Sequence, residues 1–232
     1  MNRRTFLRTS SSLMLPILTE GGASDHKLGI ATTSYLTAWR PKDTYEFLEH
    51  CHTLGAAGIQ SAIHGDIPKI RARAEQFDMY IEAMVPMPKG SDTTAFEQSL
   101  KNAKEVGAVA LRSACLGSRR YETFSSLADW QAHVAESHQA IEAAIPLLEK
   151  YKIPLGIENH KDWTADEMVA LQKKYTSEYF GVCLDFGNNL ALLDDPMDVI
   201  EKLAPYTVTT HVKNMAVEPG GDITEGFLLS EV

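Results

Sequence analysis

The chain is poor in several features that would announce a common function. Its three cysteines, Cys51, Cys115 and Cys183, are scattered and odd in number, with no Cys-x-x-Cys pair. They build neither a disulfide framework nor a thiolate zinc site. No GxGxxG or GxxxxGK[ST] opens a helical segment, which removes the dinucleotide and P-loop phosphate cradles. Positive charge is scarce: 22 Lys+Arg against 31 Asp+Glu give a net charge of −9. No basic cluster lies outside the extreme N-terminus, so nucleic acid is not an expected partner. No later apolar run approaches the roughly 20 residues needed to span a bilayer. A small neutral or polar molecule is the partner that remains.

What is present starts with "NRRTFLRTS", Asn2 to Ser10, where Arg3 and Arg4 precede Phe6 and Leu7, followed by "LMLPILT" and the small residues "GGAS". The pattern resembles a twin-arginine export signal. Residues 1–25 are therefore expected to be a signal segment and the protein to be exported, periplasmic in a bacterium. Substrates of that route fold before export, so reduced buried thiols such as Cys183, inside an apolar run, are compatible with it.

From Lys27 onward short apolar runs alternate with amphipathic segments. The runs are "LGIATT", "GIQSAI", "YIEAMV", "VALRSA", "PLGIEN", "FGVCLD" and "YTVTTHV". Between them, Phe96, Leu100, Ala103 and Val106 share one helical face. Thr94 with Glu97 and Thr164 with Glu167 have capping-box spacing, and Asp195-Pro196 reads as a cap followed by proline at the first helical position. The longest helix, about Leu127 to Tyr151, is expected to be kinked or divided at Pro146. No Pro/Gly/Ser-rich linker interrupts the alternation, so residues 26–232 read as one domain. Repeated strand-helix units imply a parallel α/β sheet. Polar residues gather at the strand ends, in "AIHGD", "IENH", "LDFGN" and "THVKN". Convergence of strand ends on one mouth favours a (β/α)8 TIM-barrel type of fold, with about seven units present, over a doubly wound sheet.

Glu158, Asp185 and His211 close three consecutive runs. In a barrel two carboxylates and an imidazole at that mouth can share one cation, with Mn²⁺, Mg²⁺ or Co²⁺ favoured and Zn²⁺ also compatible. Taken singly, each residue reads as a helix cap or a solvated strand end.

"GIENHKD", "CLDFGNN" and "THVKN", at this spacing, resemble the xylose isomerase-like barrel superfamily, the sugar phosphate isomerase/epimerase group. The resemblance implies a divalent metal held by Glu158, Asp185 and His211, with a further glutamate after an eighth strand. Glu158 is also implied as a catalytic acid/base. Glu231 in "GFLLSEV" is a weak candidate for the fourth ligand, and the chain reads as truncated before the eighth unit. Seven strands leave two unpaired edges, an arrangement open to pairing with another chain as a homo-oligomer. The implied reaction is isomerisation or epimerisation of a sugar or polyol by proton transfer beside a carbonyl; a hydride shift uses a similar site. Two alternatives stay open: a non-catalytic or degenerate sugar-binding barrel, and an endonuclease-like phosphodiesterase, which the acidic charge and export pattern oppose.

His64, Asn159, His160, Asn188 and Lys213 lie at or just after strand ends and are candidates to bind sugar hydroxyls or orient ligands. Arg112 comes from the fourth run, and the "GSRRY" that follows it, Gly117 to Tyr121, reads as a loop reaching an anionic or hydroxylated substrate or, equally, as a solvated basic loop. His133 and His138 do not share a helical face and read as structural. Trp39 and Trp163, near loops, are candidates to pack on a sugar ring, and Trp130 reads as core.

Overall fold

The computed structural model describes residues 27–35, 38–213, 215–219 and 227–231, the last two segments by their backbone alone. The expected signal segment, residues 1–25, lies outside the described residues. Seven strands form one sheet: β1 (Gly29–Ala31), β2 (Gly58–Ser61), β3 (Tyr80–Met84), β4 (Ala110–Ser113), β5 (Leu155–Glu158), β6 (Phe180–Asp185) and β7 (Thr207–His211). They pair in chain order from β1 to β7, every pair parallel.

The intervening helices are α1 (Thr44–Thr53), α2 (Ile67–Phe77), α3 (Thr94–Val106), the short α4 (Arg120–Thr123), α5 (Leu127–Tyr151), α6 (Ala165–Lys174) and α7 (Pro196–Leu203). Their starts are chemically marked. Asp43, Asp66, Ser126 and Asp195 each accept a backbone N–H of the first turn, and Thr164 with Glu167 completes a capping box. The Thr94 capping box does not form: α3 begins at Thr94 itself, and the Asp92 carboxylate takes the Thr94 N–H. Helix α5 runs unbroken through Pro146 for 25 residues, so the proline does not divide it.

The sheet is curled. Thr209 on β7 donates to Glu82 on β3 at 2.7 Å, and His211 lies 2.8 Å from Gln60 on β2. Such contacts across the interior require β7 to come round towards β2 and β3, giving an open-sided (β/α) barrel whose edges are β1 and β7. Among the described residues no eighth strand lies between them. β8 (Met215–Pro219) and β9 (Phe227–Glu231) pair antiparallel in a separate two-stranded sheet, so the strand foreseen around Glu231 exists but is not part of the seven-stranded sheet.

Two apolar clusters lie between strands and helices. Phe47, Leu48, Ile59, Ile70 and Ile81 pack α1 and α2 on β2 and β3. Phe96, Leu100, Leu111, Ile141, Leu148 and Met168 pack α3, α5 and α6 on β4 to β6. Ile63 and Ala108 touch both. Gly156 lets β5 approach β6 closely, since a Cβ there would lie 2.7 Å from the Cys183 nitrogen. One irregularity bears on function. Between Val182 and Cys183 the register with β7 shifts by one, from Val182↔Thr207 to Cys183↔Thr209. The extra residue, Val208, sets Asp185 opposite His211; continued without the shift, the pairing would set Asp185 opposite Thr210 and turn His211 to the outer face.

Candidate active site

Each implied ligand is the last residue of its strand: Glu158 of β5, Asp185 of β6 and His211 of β7. Parallel strands bring their C-terminal ends to one rim, and both carboxylates are 2% exposed. His211 Nδ1 lies 3.5 Å from Glu158 Oε2 and 3.8 Å from Asp185 Oδ2. Glu158 pairs in register with Cys183, one inward-facing position below Asp185. Glu158, Cys183 and His211 therefore offer ligand atoms within 4.8 Å of one another, a grouping able to hold a metal ion. Burial raises the Cys183 thiol well above its ordinary range, which disfavours the thiolate form that binds metals.

The carboxylates are held by their neighbours. Asp185 Oδ1 accepts the N–H groups of Gly187 and Asn188 at 2.9 and 2.8 Å, leaving Oδ2 towards His211 and towards Lys213 Nζ at 3.5 Å. Glu158 Oε1 accepts the Asn188 amide at 3.0 Å, and Oε2 accepts Arg112 Nε at 2.5 Å. Arg112 also ion-pairs with the same oxygen through Nη2. Burial pushes the Glu158 carboxyl up, but the His211 hydrogen bond and the Arg112 and His211 charges outweigh it and hold it at about 2. Two carboxylates and an imidazole make a donor set that fits a hard or borderline divalent cation. Positive charge from Arg112 and Lys213 already answers them.

The other sequence candidates separate. Asn159 is fully buried, and its amide is spent between strands: Nδ2 donates to Asp185 O and Asn189 Oδ1, and Oδ1 accepts the Asp185 N–H. It orients Asp185 and has no free group for a sugar. Asn188 bridges Glu158 and Lys213, whose Nζ donates to its Oδ1 at 2.6 Å. His160 lines the same cleft, with Nδ1 3.1 Å from Leu116 O. Burial lowers its pKa, with the Glu158 charge opposing. His64 is exposed, contacts Ala62 O and does not line the cleft. Trp163 is buried in the core beside Trp130, so it offers no face to a sugar. Trp39 packs among Tyr35, Phe47 and His50. His133 and His138 serve structure, the one against Phe124 and Trp130, the other on Tyr175.

Arg112's partner, Glu158, was not foreseen, and Gln60 and Glu82 were missed altogether. Arg112, Gln60 and Glu82 each place a long polar side chain inside a mostly apolar run, Gln60 beside Ser61 and Arg112 beside Ser113, which is the cue that marks them. The cleft they line, about 1490 Å³, opens between β1 and β7 and reaches Glu158, Asp185 and His211.

Residues 48–228 match the xylose isomerase-like TIM barrel family. This chain belongs to that family. Among solved structures, this xylose isomerase-like barrel is similar to a D-psicose 3-epimerase crystallised with D-fructose: TM-score 0.65, 21% identity, 86% of this chain and 78% of the other covered. It is also similar to the Escherichia coli 3-keto-D-glucoside 4-epimerase YcjR, with TM-score 0.66, 12% identity and coverage of 81% and 79%. At those identities the likeness is one of fold. In sequence it is similar to the 3-oxo-isoapionate decarboxylase of Pectobacterium atrosepticum, 24% identical over 189 residues, and to the uncharacterised Escherichia coli protein YihM, 27% identical over 158 residues. Those matches cover 82% and 65% of this chain, and the chain spans 62% and 43% of those relatives' own lengths.

Proposed function

We propose that this barrel handles a sugar or polyol by moving a proton at the carbon beside a carbonyl, with a divalent metal held by Glu158, Asp185 and His211. The observation that carries the reading is the position of His211 Nδ1 on the cleft wall, 3.5 Å from Glu158 Oε2 and 3.8 Å from Asp185 Oδ2. The metal, when bound, polarises the substrate carbonyl and stabilises negative charge as the proton leaves. Glu158 is ionised throughout the neutral range, which suits a ligand, but its low pKa makes it a weak base. His160 is the better-matched proton acceptor. Donation from Nδ1 to the Leu116 carbonyl leaves Nε2 as the ring's acceptor, and the lowered pKa keeps the ring neutral at pH 7. Lys213 supplies positive charge beside Asp185, placed for a substrate hydroxyl or carbonyl oxygen. Export through the twin-arginine route would put this chemistry in the periplasm.

A second reading is favoured by Arg112, a guanidinium 13% exposed on the cleft wall. A buried guanidinium suits a carboxylate-bearing substrate. One sequence relative is named as a decarboxylase of a 3-oxo acid. Loss of CO₂ from a 3-oxo acid leaves negative charge beside a carbonyl, as proton removal does, so one site serves either reaction.

Incubation with Mn²⁺ and ketohexoses in D₂O, followed by NMR, separates these. Deuterium entering beside the carbonyl supports proton transfer. Absence of exchange, with CO₂ released from a 3-oxo sugar acid, replaces it with the second reading.

A further inference from the structure

Below the rim lies a set of side chains that the proposed reaction does not use. Gln60 and Glu82 are direct partners in the β2–β3 register. Gln60 Nε2 donates to Glu82 Oε2 at 2.8 Å, and Thr209 Oγ1 donates to the same carboxylate at 2.7 and 2.9 Å. Gln60 Oε1 lies 2.8 Å from His211 Nε2. The set joins β2, β3 and β7 across the barrel interior.

Its hydrogen-bond chemistry runs one way. A carboxylate accepts and does not donate, so Glu82 must face the NH₂ of Gln60; the flipped amide would set oxygen against oxygen. Gln60 therefore turns its carbonyl oxygen to His211, and that oxygen also only accepts. The proton of the imidazole must then sit on Nε2. Nδ1 faces Glu158 Oε2 and Asp185 Oδ2; carboxylates too only accept, so without a cation they hold a proton on Nδ1, and with Nε2–H fixed a cation takes Nδ1 by displacing that second proton. An acid in place of Gln60 would set two carboxylates in contact, and an apolar residue would leave the ring free to choose its tautomer and tilt.

We propose that Gln60 and Glu82 are positioning residues that fix the tautomer and orientation of His211, so that Nδ1 is presented to a cation shared with Glu158 and Asp185. The cation step rests on the metal reading given above, whereas the hydrogen-bond chain from Glu82 through Gln60 to His211 Nε2 stands without it.

The test uses nitrogen-15 NMR of the His211 ring in the protein loaded with diamagnetic Zn²⁺, together with Mn²⁺ titration calorimetry and thermal melting. Wild type should show only the Nε2–H tautomer. Gln60→Leu should give a mixture of tautomers and weaken Mn²⁺ binding by tenfold or more, beyond any change in melting temperature. The exchanged pair, Gln60→Glu with Glu82→Gln, puts a carboxylate against Nε2–H and an amide behind it, and should restore both readouts. If Gln60→Leu keeps a pure Nε2–H tautomer, or wild type shows Nδ1–H, the positioning role is overturned. If wild type binds neither Zn²⁺ nor Mn²⁺, the metal reading falls and the cation step with it.

Discussion

Asp185 and His211 stand opposite each other across β6 and β7, with Asp185 Oδ2 3.8 Å from His211 Nδ1. Asp185 gives its other oxygen to two backbone N–H groups, so Oδ2 is aimed at His211 and Lys213 rather than mobile in solvent. The pair is the part of the rim that a metal test addresses most directly.

Asp185→Asn keeps an oxygen for the Gly187 and Asn188 N–H groups while removing the charge. Mn²⁺ affinity, measured by calorimetry, should fall at least tenfold, roughly the loss of one charged ligand, with little change in the metal-free melting temperature. Equal Mn²⁺ affinity in the two proteins would leave Asp185 a strand-end residue and nothing more.

Arg112 is the counter-ion of Glu158, and both are largely buried. Removing one partner of such a pair leaves an uncompensated charge at a cost of about 3 kcal/mol. Arg112→Met should therefore lower the metal-free melting temperature, and added Mn²⁺ should recover more of it than it adds to wild type. Thermal melts with and without the ion give the answer; a metal-free Arg112→Met protein as stable as wild type would show that the guanidinium does not hold Glu158.

Asp162 accepts N–H groups from Leu116, His160 and Trp163, tying the segment after β4 to the segment after β5. Burial raises its carboxyl to about 7, against those hydrogen bonds, which favour the ionised form. The folded state therefore holds a proton that the unfolded chain releases near pH 4, and this contribution to stability shrinks as pH rises from about 4 to about 7. Asp162→Asn does not titrate there. The stability of wild type relative to Asp162→Asn, from denaturant melts, should decline across that window and level off above it; a difference flat or rising with pH would contradict the raised pKa.

The Arg3-Arg4 pair is proposed to direct export. Replacing both with lysine should leave the full-length chain in the cytoplasm when the compartments are fractionated, and unchanged export would remove the twin-arginine reading.

The strand-helix alternation was legible because each apolar run is short and most of the helices carry a capping residue at their start. Asp195-Pro196 and the Thr164–Glu167 box are chemical marks that survive without any tertiary contact. Glu158, Asp185 and His211 were legible as a group because parallel strands send their last residues to one rim. Trp163 was misread because proximity to a loop does not report burial, which the packing of α5 and Trp130 decides. The Thr94 box failed because Asp92 competes for the same N–H.

The sequence by itself determined the order of elements, the family pattern and the candidate ligands, since these depend on local periodicity and on which residue types end a strand. Tertiary structure alone decided that His211 faces inward, because one residue of register slip at Val208 exchanges the two faces of a strand end. It alone joined Arg112 to Glu158, Gln60 to His211 and Glu82 to Thr209, partners separated by 46, 151 and 127 residues. Contacts across a barrel interior are set by curvature and strand register, and neither is written in any short stretch of the chain.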